Sequence, residues 1–460
     1  MSQFMERPQI YVAQKESLLV AKQAKKIIQQ LFKKKAPISL KKDTATIHLL
    51  LNEQLETNRI LIQASKNLVM SARTVSELQY GISYALVQVF CKTLPEETIL
   101  SYAQEERIFM IDMGRKFYSQ KVLKQFIDVM SLCQFNYLQL HFSENTGFRI
   151  ESERYPEIVS SHHLTKAEVR ELIQYARLAS IEIIPDFDSP GHLTQILQAH
   201  PDWQLKKQLS DETIECEPSA LSVDKKEAVA YVWGIYEEYA DLFKESTYFH
   251  IGADEFVDFD EIDAYPELTA YGKQLYGEKG QAIDGFIHYV NQTAEKVSQL
   301  GFIPRVWNDG FFRVNRTEQA RLSEKVEITY WTKWNKNMAP VTAFLERGYT
   351  VLNYNDNFFY YVLGENAGYT YPTYEKILSD WTPTRYAQNQ EVSLQEYPTQ
   401  LPGVCFAVWS DKPEAKTEDE VFNDVSYLLA AVMQKEAGAV FAEKTQIARL
   451  FQTYFSTELS

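Results

Sequence analysis

From residue 107 onward the chain alternates short apolar runs with amphipathic stretches, and few folds accommodate that alternation. Eight runs have strand character: 107–113 (RIFMIDM), 137–142 (YLQLHF), 181–187 (IEIIPDF), 247–252 (TYFHIG), 303–308 (IPRVWN), 326–331 (VEITYW), 349–354 (YTVLNY) and 404–409 (VCFAVW). Between them lie helical patterns. Over 120–133 the apolar positions are Val122, Leu123, Phe126, Ile127, Val129, Met130 and Cys133, which is helical spacing. At the start of 165–180, Thr165 and Glu168 have the spacing of a capping box, and Leu164 with Val169 that of a hydrophobic staple. Strands alternating with helices imply a parallel sheet. Eight such units point to an α/β fold of the (β/α)8 (TIM barrel) type. A doubly wound open sheet is the alternative, but no Gly-rich phosphate loop follows any of the strands. The stretches after strands four and seven, 256–284 and 357–402, read as insertions of loop and helix on the face where barrel active sites sit.

The first hundred residues form a separate pattern. A strand at 9–13, a helix over 17–32, strands at 46–51, 58–63 and 67–71 and a second helix over 74–91 make a small α/β domain preceding the barrel. Residues 92–106 read as a linker. The expected organisation is therefore a non-catalytic α/β domain over 1–100 and a catalytic barrel over 101–460. The 460 residues are 45% hydrophobic, enough to build both cores.

Composition excludes several function classes. A formal charge of −15 disfavours nucleic acid or an anionic membrane as partner. Cys91, Cys133, Cys216 and Cys405 have neither paired nor zinc-type spacing, so neither a disulfide framework nor a structural metal is expected. No cofactor is called for. His162-His163 lacks further ligands nearby, and the acidic run Asp258, Asp260, Glu261, Asp263 lacks the glycine and terminal glutamate of a calcium loop. The N-terminus MSQFMERPQI lacks the layout of a signal peptide, and no apolar run is long enough to span a bilayer. The expectation is a cytoplasmic protein.

A barrel gathers its active site at the C-terminal ends of its strands. Here those ends carry Asp112 and Arg115; His141, Glu144 and Asn145; Asp186, Asp188 and His192; Asp254 and Glu255; Trp307, Asn308 and Asp309; Trp331 and Trp334; Tyr354, Asn355 and Asp356; and Trp409 and Asp411. Acids, histidines and flat aromatic walls converging on one face suit glycoside hydrolysis. The sharpest local signal is 249–256, FHIGADEF, a strand ending in two adjacent carboxylates. Each disfavours ionisation of the other, and a raised pKa is what a general acid needs near neutral pH. Asp112 with Arg115 reads as a buried ion pair bracing the barrel mouth, and Trp334 as core or rim.

Three segments together carry a family resemblance: 107–149, with Arg107 and the Asp112-x-x-Arg115 spacing; 185–192 (PDFDSPGH); and 250–255 (HIGADE). They resemble glycoside hydrolase family 20, the β-N-acetylhexosaminidases. The resemblance implies a retaining exo-glycosidase that removes terminal β-linked GlcNAc or GalNAc by substrate-assisted catalysis. In that chemistry the substrate's 2-acetamido oxygen is the nucleophile and an oxazoline forms, an exception to the usual pair of separated carboxylates. It implies Glu255 as general acid and base and Asp254 as the residue orienting the acetamide. Arg107 and Asp411 are implied as ligands of sugar hydroxyls and His192 as tuning the acid. Trp307, Trp331 and Trp409 are implied as the aromatic wall, and Tyr360, chosen over Tyr361 or a phenylalanine, as the acetamide's hydrogen-bond donor. Glu144, His141 and His250 are placed behind these groups. Glu144-Asn145 stands where many members have Asp-Asp, which puts the pairing of Glu144 with His192 in question. The partner is a glycan or oligosaccharide. Alternatives are a disaccharide-releasing, lacto-N-biosidase-like relative, a two-carboxylate retaining glycosidase and a sugar-binding protein.

Overall fold

A computed structural model describes residues 3–437 and 443–456. Its first unit is a six-stranded sheet in the spatial order Ile38–Ser39, Ile10–Val12, Ile47–Leu51, Leu68–Ala72, Arg59–Ala64, Glu97–Ser101. Two helices, Leu18–Phe32 and Val75–Cys91, accompany it. The first buries Val20, Ala24, Ile27, Ile28 and Leu31, the stripe its sequence spacing predicts. The second opens on a capping box between Thr74 and Glu77.

The expected linker over 92–106 is corrected here. Glu97–Ser101 is an edge strand paired antiparallel with Arg59–Ala64. Of its five residues only Leu100 is buried, so a half-exposed edge strand with polar outer residues carries no apolar signal. This unit rests on the barrel through the helix Leu18–Phe32. Gln23 Nε2 donates to Ser131 Oγ at 2.9 Å, and Lys26 Nζ pairs with Asp128 at 2.5 Å.

The second unit is a closed parallel barrel. Its strands are Glu106–Asp112, Tyr137–His141, Glu182–Ser189, Tyr248–Gly252, Ile303–Trp307, Glu327–Tyr330, Val351–Asn353 and Gly403–Trp409. Closure comes from Asn353 pairing with Val404 and from six register pairs between strand eight and strand one, Gly403↔Glu106 to Val408↔Ile111. All eight expected runs appear, each within about two residues of its predicted limits. The barrel helix Lys166–Leu178 carries the Thr165–Glu168 capping box.

Register matters more than strand count for the site. Asp112 stands beside His141, His141 beside Asp186, and Asp186 beside His250. Four adjacent strands thus bring two acids and two imidazoles to one level, all of them fully buried.

Two additions to the barrel had no sequence signal. After strand three, Gln204–Gln208 and Ile214–Leu221 form an antiparallel hairpin. Inside the expected insertion 357–402, Tyr360–Val362 pairs parallel with Ala407–Trp409, which sets Tyr360 beside the C-terminal end of strand eight. The four cysteines are free. No helix among the described residues is long and apolar enough to cross a membrane.

Strand four ends at Gly252, whose φ is +77°, and a Cβ there would lie 2.6 Å from Asp188 Oδ1. Both the left-handed backbone and the close approach require glycine. Gly252→Ala is expected to destabilise the fold by about 1–3 kcal/mol, read as a lowered midpoint in thermal or urea unfolding. A midpoint unchanged from the parent would show that this turn relaxes freely.

Candidate active site

Adjacent residues on an extended strand point to opposite sides, yet Asp254 and Glu255 both face one cavity. The backbone past strand four explains this. Gly252, Ala253 and Glu255 have φ values of +77°, +75° and +40°. Such conformations are costly for residues with a Cβ and persist only where the surroundings enforce them. Here the main-chain N–H of Glu255 donates to Asp309 Oδ2 at 2.9 Å. The other oxygen, Asp309 Oδ1, accepts from Trp331 Nε1 at 3.1 Å. One buried carboxylate therefore ties together the ends of strands four, five and six. Gly191 lets the loop after strand three approach closely, since a Cβ there would sit 3.0 Å from Asp254 O and from Phe256 Cα.

His192 lies between the carboxylates. Its Nδ1 pairs with Glu144 Oε1 at 2.7 Å; its Nε2 faces Asp254 Oδ2 at 3.4 Å and Glu255 Oε2 at 3.8 Å. The longer Glu144 side chain thus reaches His192. Glu144 Oε1 also receives Arg115 Nη2 at 2.5 Å. Arg115 extends to Asp112 at 2.9 Å and to Asp411 at 4.0 Å. Gly114 permits the approach, because a Cβ there would lie 2.6 Å from Glu144 Cβ.

Behind these groups, His141 Nδ1 faces Asp186 at 3.1 Å and its Nε2 faces Asp188 at 3.7 Å. His250 Nδ1 faces Asp186 at 3.4 Å, and its Nε2 contacts Thr329 Oγ1 at 2.8 Å. The ligand atoms of His141, Asp186 and Asp188 are close enough together to hold an ion, as are those of Glu144, Asp188 and His192. His141 and His192, the histidines of these two clusters, already face carboxylates with both ring nitrogens, so an ion-pair network accounts for the two clusters.

The cavity measures about 530 Å³. Its walls include Trp307, Trp331, Tyr360 and Trp409. Trp331 and Tyr360 stack nearly parallel at 5.9 Å, and Trp307 and Trp409 meet at 5.9 Å with their planes inclined by 48°. Asp254 Oδ1, Trp307 Nε1 and Trp409 Nε1 are buried and have no hydrogen-bond partner among the described residues, so an acceptor and two donors are available to a ligand. Tyr361, the alternative to Tyr360, points away and donates to Asp424 at 2.6 Å. The alternation of side chains along Tyr360–Val362 decides between the two.

Arg107 is the residue that the structure removes from the site. It stands at the N-terminal end of strand one, on the opposite face of the barrel from the cavity. Its guanidinium is buried, donates to the carbonyls of Gln134, Gln104 and Glu105 at 2.8, 3.0 and 2.9 Å and lies over the rings of Tyr80 and Tyr102. Arg107 therefore clamps the small domain to the barrel. The arginine in the cavity is Arg115, at the other end of the same strand. Its expected ion pair with Asp112 is present, but its reach to Glu144 and Asp411 is additional. Asp356, expected at the end of strand seven, does line the cavity, and three further lining residues, Asn357, Tyr369 and Gln388, come from the insertion after it, where no periodicity marks a facing side chain. Asp356 accepts from Thr332 at 2.8 Å and from Tyr369 at 3.1 Å.

The electrostatics separate the carboxylates. Burial, aided by the Asp254 charge, raises the Glu255 pKa above its ordinary value and outweighs the opposing pull of His192, although the side chain is 55% exposed to the cleft. Burial alone would lower His192, but Glu144 and Asp254 outweigh it and hold the imidazole well above its usual value. Burial works against Glu144 as an anion, and His192 and Arg115 overcome it. Burial and the Asp254 charge push Asp309 up to about 7.

A family model, "Glycosyl hydrolase family 20, catalytic domain", matches residues 105–427. The chain belongs to glycosyl hydrolase family 20. Among curated proteins it is similar to lacto-N-biosidase of Bifidobacterium bifidum, 24% identical over 66% of this chain and 26% of that protein. It is also similar to human beta-hexosaminidase subunit beta, 24% identical over 59% of this chain and 48% of that subunit. The chain thus spans half or less of the length of these two relatives. Among solved structures, a Bacteroides fragilis β-N-acetylhexosaminidase superposes with a TM-score of 0.75 at 18% identity, covering 98% of this chain and 92% of that one. A Vibrio harveyi family 20 exo-β-N-acetylglucosaminidase also gives 0.75, at 16% identity and covering 98% and 74%. At such identities these two likenesses concern the fold, including the small domain.

A folded-state pKa of about 7 for Asp309 against an ordinary 3.8 means that the fold prefers its neutral form. Its stabilising contribution is complete below pH 3.8 and is lost as pH rises through 7. Asp309→Asn cannot ionise, so its stability relative to the parent is expected to improve between pH 4 and pH 7 in urea titrations and to level off above that. A pH-independent difference between the two would contradict this.

Proposed function

We propose that the protein is a retaining exo-β-N-acetylhexosaminidase that removes terminal β-linked GlcNAc or GalNAc from glycans by substrate-assisted catalysis. The observation that carries this reading is the pair Asp254 and Glu255, turned into one aromatic-walled cavity by the left-handed backbone after Gly252.

Glu255, open to the cleft and raised in pKa, is the general acid that protonates the glycosidic oxygen. Asp254, held by His192, offers its free oxygen to the N–H of the 2-acetamido group and aims the acetamide oxygen at the anomeric carbon. That oxygen attacks, the C1–aglycone bond breaks, and an oxazoline remains. Glu255, now a carboxylate, takes a proton from water as the water opens the oxazoline at C1, with net retention. Tyr360 donates to the acetamide oxygen. Trp307, Trp331 and Trp409 enclose the sugar and exclude water. Arg115 and Asp411 bind its outer hydroxyls.

Release of a disaccharide is a second reading, supported by the similarity to the Bifidobacterium lacto-N-biosidase and by the small side chains of Val362, Ala367 and Gly368 along the cavity wall.

Rapid cleavage of an aryl β-N-acetylglucosaminide with no cleavage of the matching aryl β-glucoside is expected. Equal rates on the two would exclude an acetamide nucleophile. Asp254→Asn is expected to lower kcat by roughly 10²–10³. Glu255→Gln is expected to lose more activity on poor leaving groups than on activated aryl groups, and wild-type rates in either variant would overturn these roles.

A further inference from the structure

The net charge of −15 averages over two units of opposite sign. Residues 1–101, the small domain, hold 14 Lys and Arg against 8 Asp and Glu, a net +6; the rest of the chain holds 33 against 54, a net −21. The positive excess is concentrated. Lys33, Lys34, Lys35, Lys41 and Lys42 fall within ten residues that contain no acid. This segment leaves the C-terminal end of the helix Leu18–Phe32, forms the short strand Ile38–Ser39 and turns back toward Ile47–Leu51. Ile38–Ser39 is one edge of the six-stranded sheet; the opposite edge is Glu97–Ser101, which leads into the barrel. Lys34 Nζ donates to the carbonyls of Met5 and Glu6 at 2.6 and 2.9 Å. Lys33, Lys35, Lys41 and Lys42 are exposed, and none of the four is ion-paired with a described residue.

Solvated lysines are ordinary on protein surfaces, and so are single exposed apolar side chains. What sets this segment apart is that it combines the two. Leu40, between Ser39 and Lys41, is 80% exposed, more than any other large apolar side chain among the described residues. Leu40 buries little in the fold, and the like charges around it repel one another. An anionic bilayer answers both features: headgroup phosphates attract the lysines, and the acyl boundary receives the leucine. A nucleic acid would attract the lysines but has no apolar layer for Leu40, and residues 33–42 contain no aromatic ring on which a base could stack. The acidic barrel does not oppose this contact strongly, because charges more than a Debye length from the bilayer, about 8 Å at physiological ionic strength, are screened. The small domain meets the barrel at Arg107, on the face opposite the cavity, so engagement of the lysine segment leaves the cavity open.

We propose that residues 33–42 are a docking surface for an anionic lipid bilayer, with Lys33, Lys35, Lys41 and Lys42 against the headgroup phosphates and Leu40 entering the acyl boundary. The small domain then holds the hydrolase at a membrane surface, whichever glycan the cavity takes. One lysine close to such a surface strengthens binding about fivefold, and four together by several hundredfold. The attraction weakens as salt shortens the Debye length.

The test is co-sedimentation of the full chain with vesicles of phosphatidylglycerol and phosphatidylcholine in equal parts, and with vesicles of phosphatidylcholine alone. The parent is expected to sediment with the mixed vesicles, progressively less as salt is added, and to stay in solution with phosphatidylcholine alone. Replacing Lys33, Lys35, Lys41 and Lys42 together by Gln is expected to weaken binding by about a hundredfold or more, and Leu40→Asn alone by about tenfold. All five positions are exposed, so thermal unfolding midpoints equal to the parent's are expected and separate lost docking from lost folding. No sedimentation of the parent with the mixed vesicles overturns the proposal, as does binding that survives the four lysine replacements. Binding unchanged in Leu40→Asn, or double-stranded DNA bound more tightly than the mixed vesicles, overturns a bilayer as the partner. The readout does not involve catalysis, so its failure leaves the hexosaminidase reading untouched.

Discussion

Everything at the cavity depends on the imidazole of His192 and the carboxylates around it. Glu144 on one side and Asp254 on the other keep it charged despite burial, and that charge in turn keeps Glu144 ionised beside Arg115. Removing one partner of such a buried set leaves an uncompensated charge, at a cost of about 3–5 kcal/mol. The strands that supply these groups cannot drift apart without incurring it. The chain of pairs runs from Asp112 through Arg115, Glu144 and His192 to Asp254, so the ends of strands one to four are joined by charge as well as by the sheet.

The strain after strand four has a corresponding logic. Two neighbouring carboxylates on one face need a backbone that abandons the alternation of a strand. Gly252 begins that departure without cost, whereas Ala253 and Glu255 continue it at some cost. Asp309 and Trp331 restrain the result from strands five and six. Burial and, after it, the Asp254 charge raise Asp309 to about 7. Asp260 repeats the pattern: its carboxylate accepts from Arg313, Asn335 and Asn337 and so gathers the loops after strands four, five and six.

How much of this was legible in the sequence varies by element. The eight barrel runs were, because a parallel strand buried on both faces is a continuous apolar word. The helices were, because their stripes repeat at helical spacing and Thr165 with Glu168 marks a start. The edge strand Glu97–Ser101 and the hairpin after strand three were not, since one is mostly exposed and the other is polar. Asp254, Glu255, His192 and the three tryptophans lie at strand ends and could be read there. Tyr369 and Gln388 come from an irregular insertion and could not. Arg107 illustrates a different failure. Arg107 and Arg115 bracket the same strand; the rule that active sites gather at C-terminal strand ends already favoured Arg115, and Arg107 was drawn in only by the resemblance.

The sequence by itself determined the class of fold, the order of the strands and the adjacency of Asp254 and Glu255, because periodicity and covalent neighbourhood are local properties. Tertiary structure alone decided that Arg107 turns to the small domain, that Tyr361 points away from the aromatic wall, and that Glu144 reaches His192. Each of these depends on which end or face of an element meets the interior. That is settled by the register of strands far apart in the chain and by the closure of the barrel, and no local pattern of residues records it.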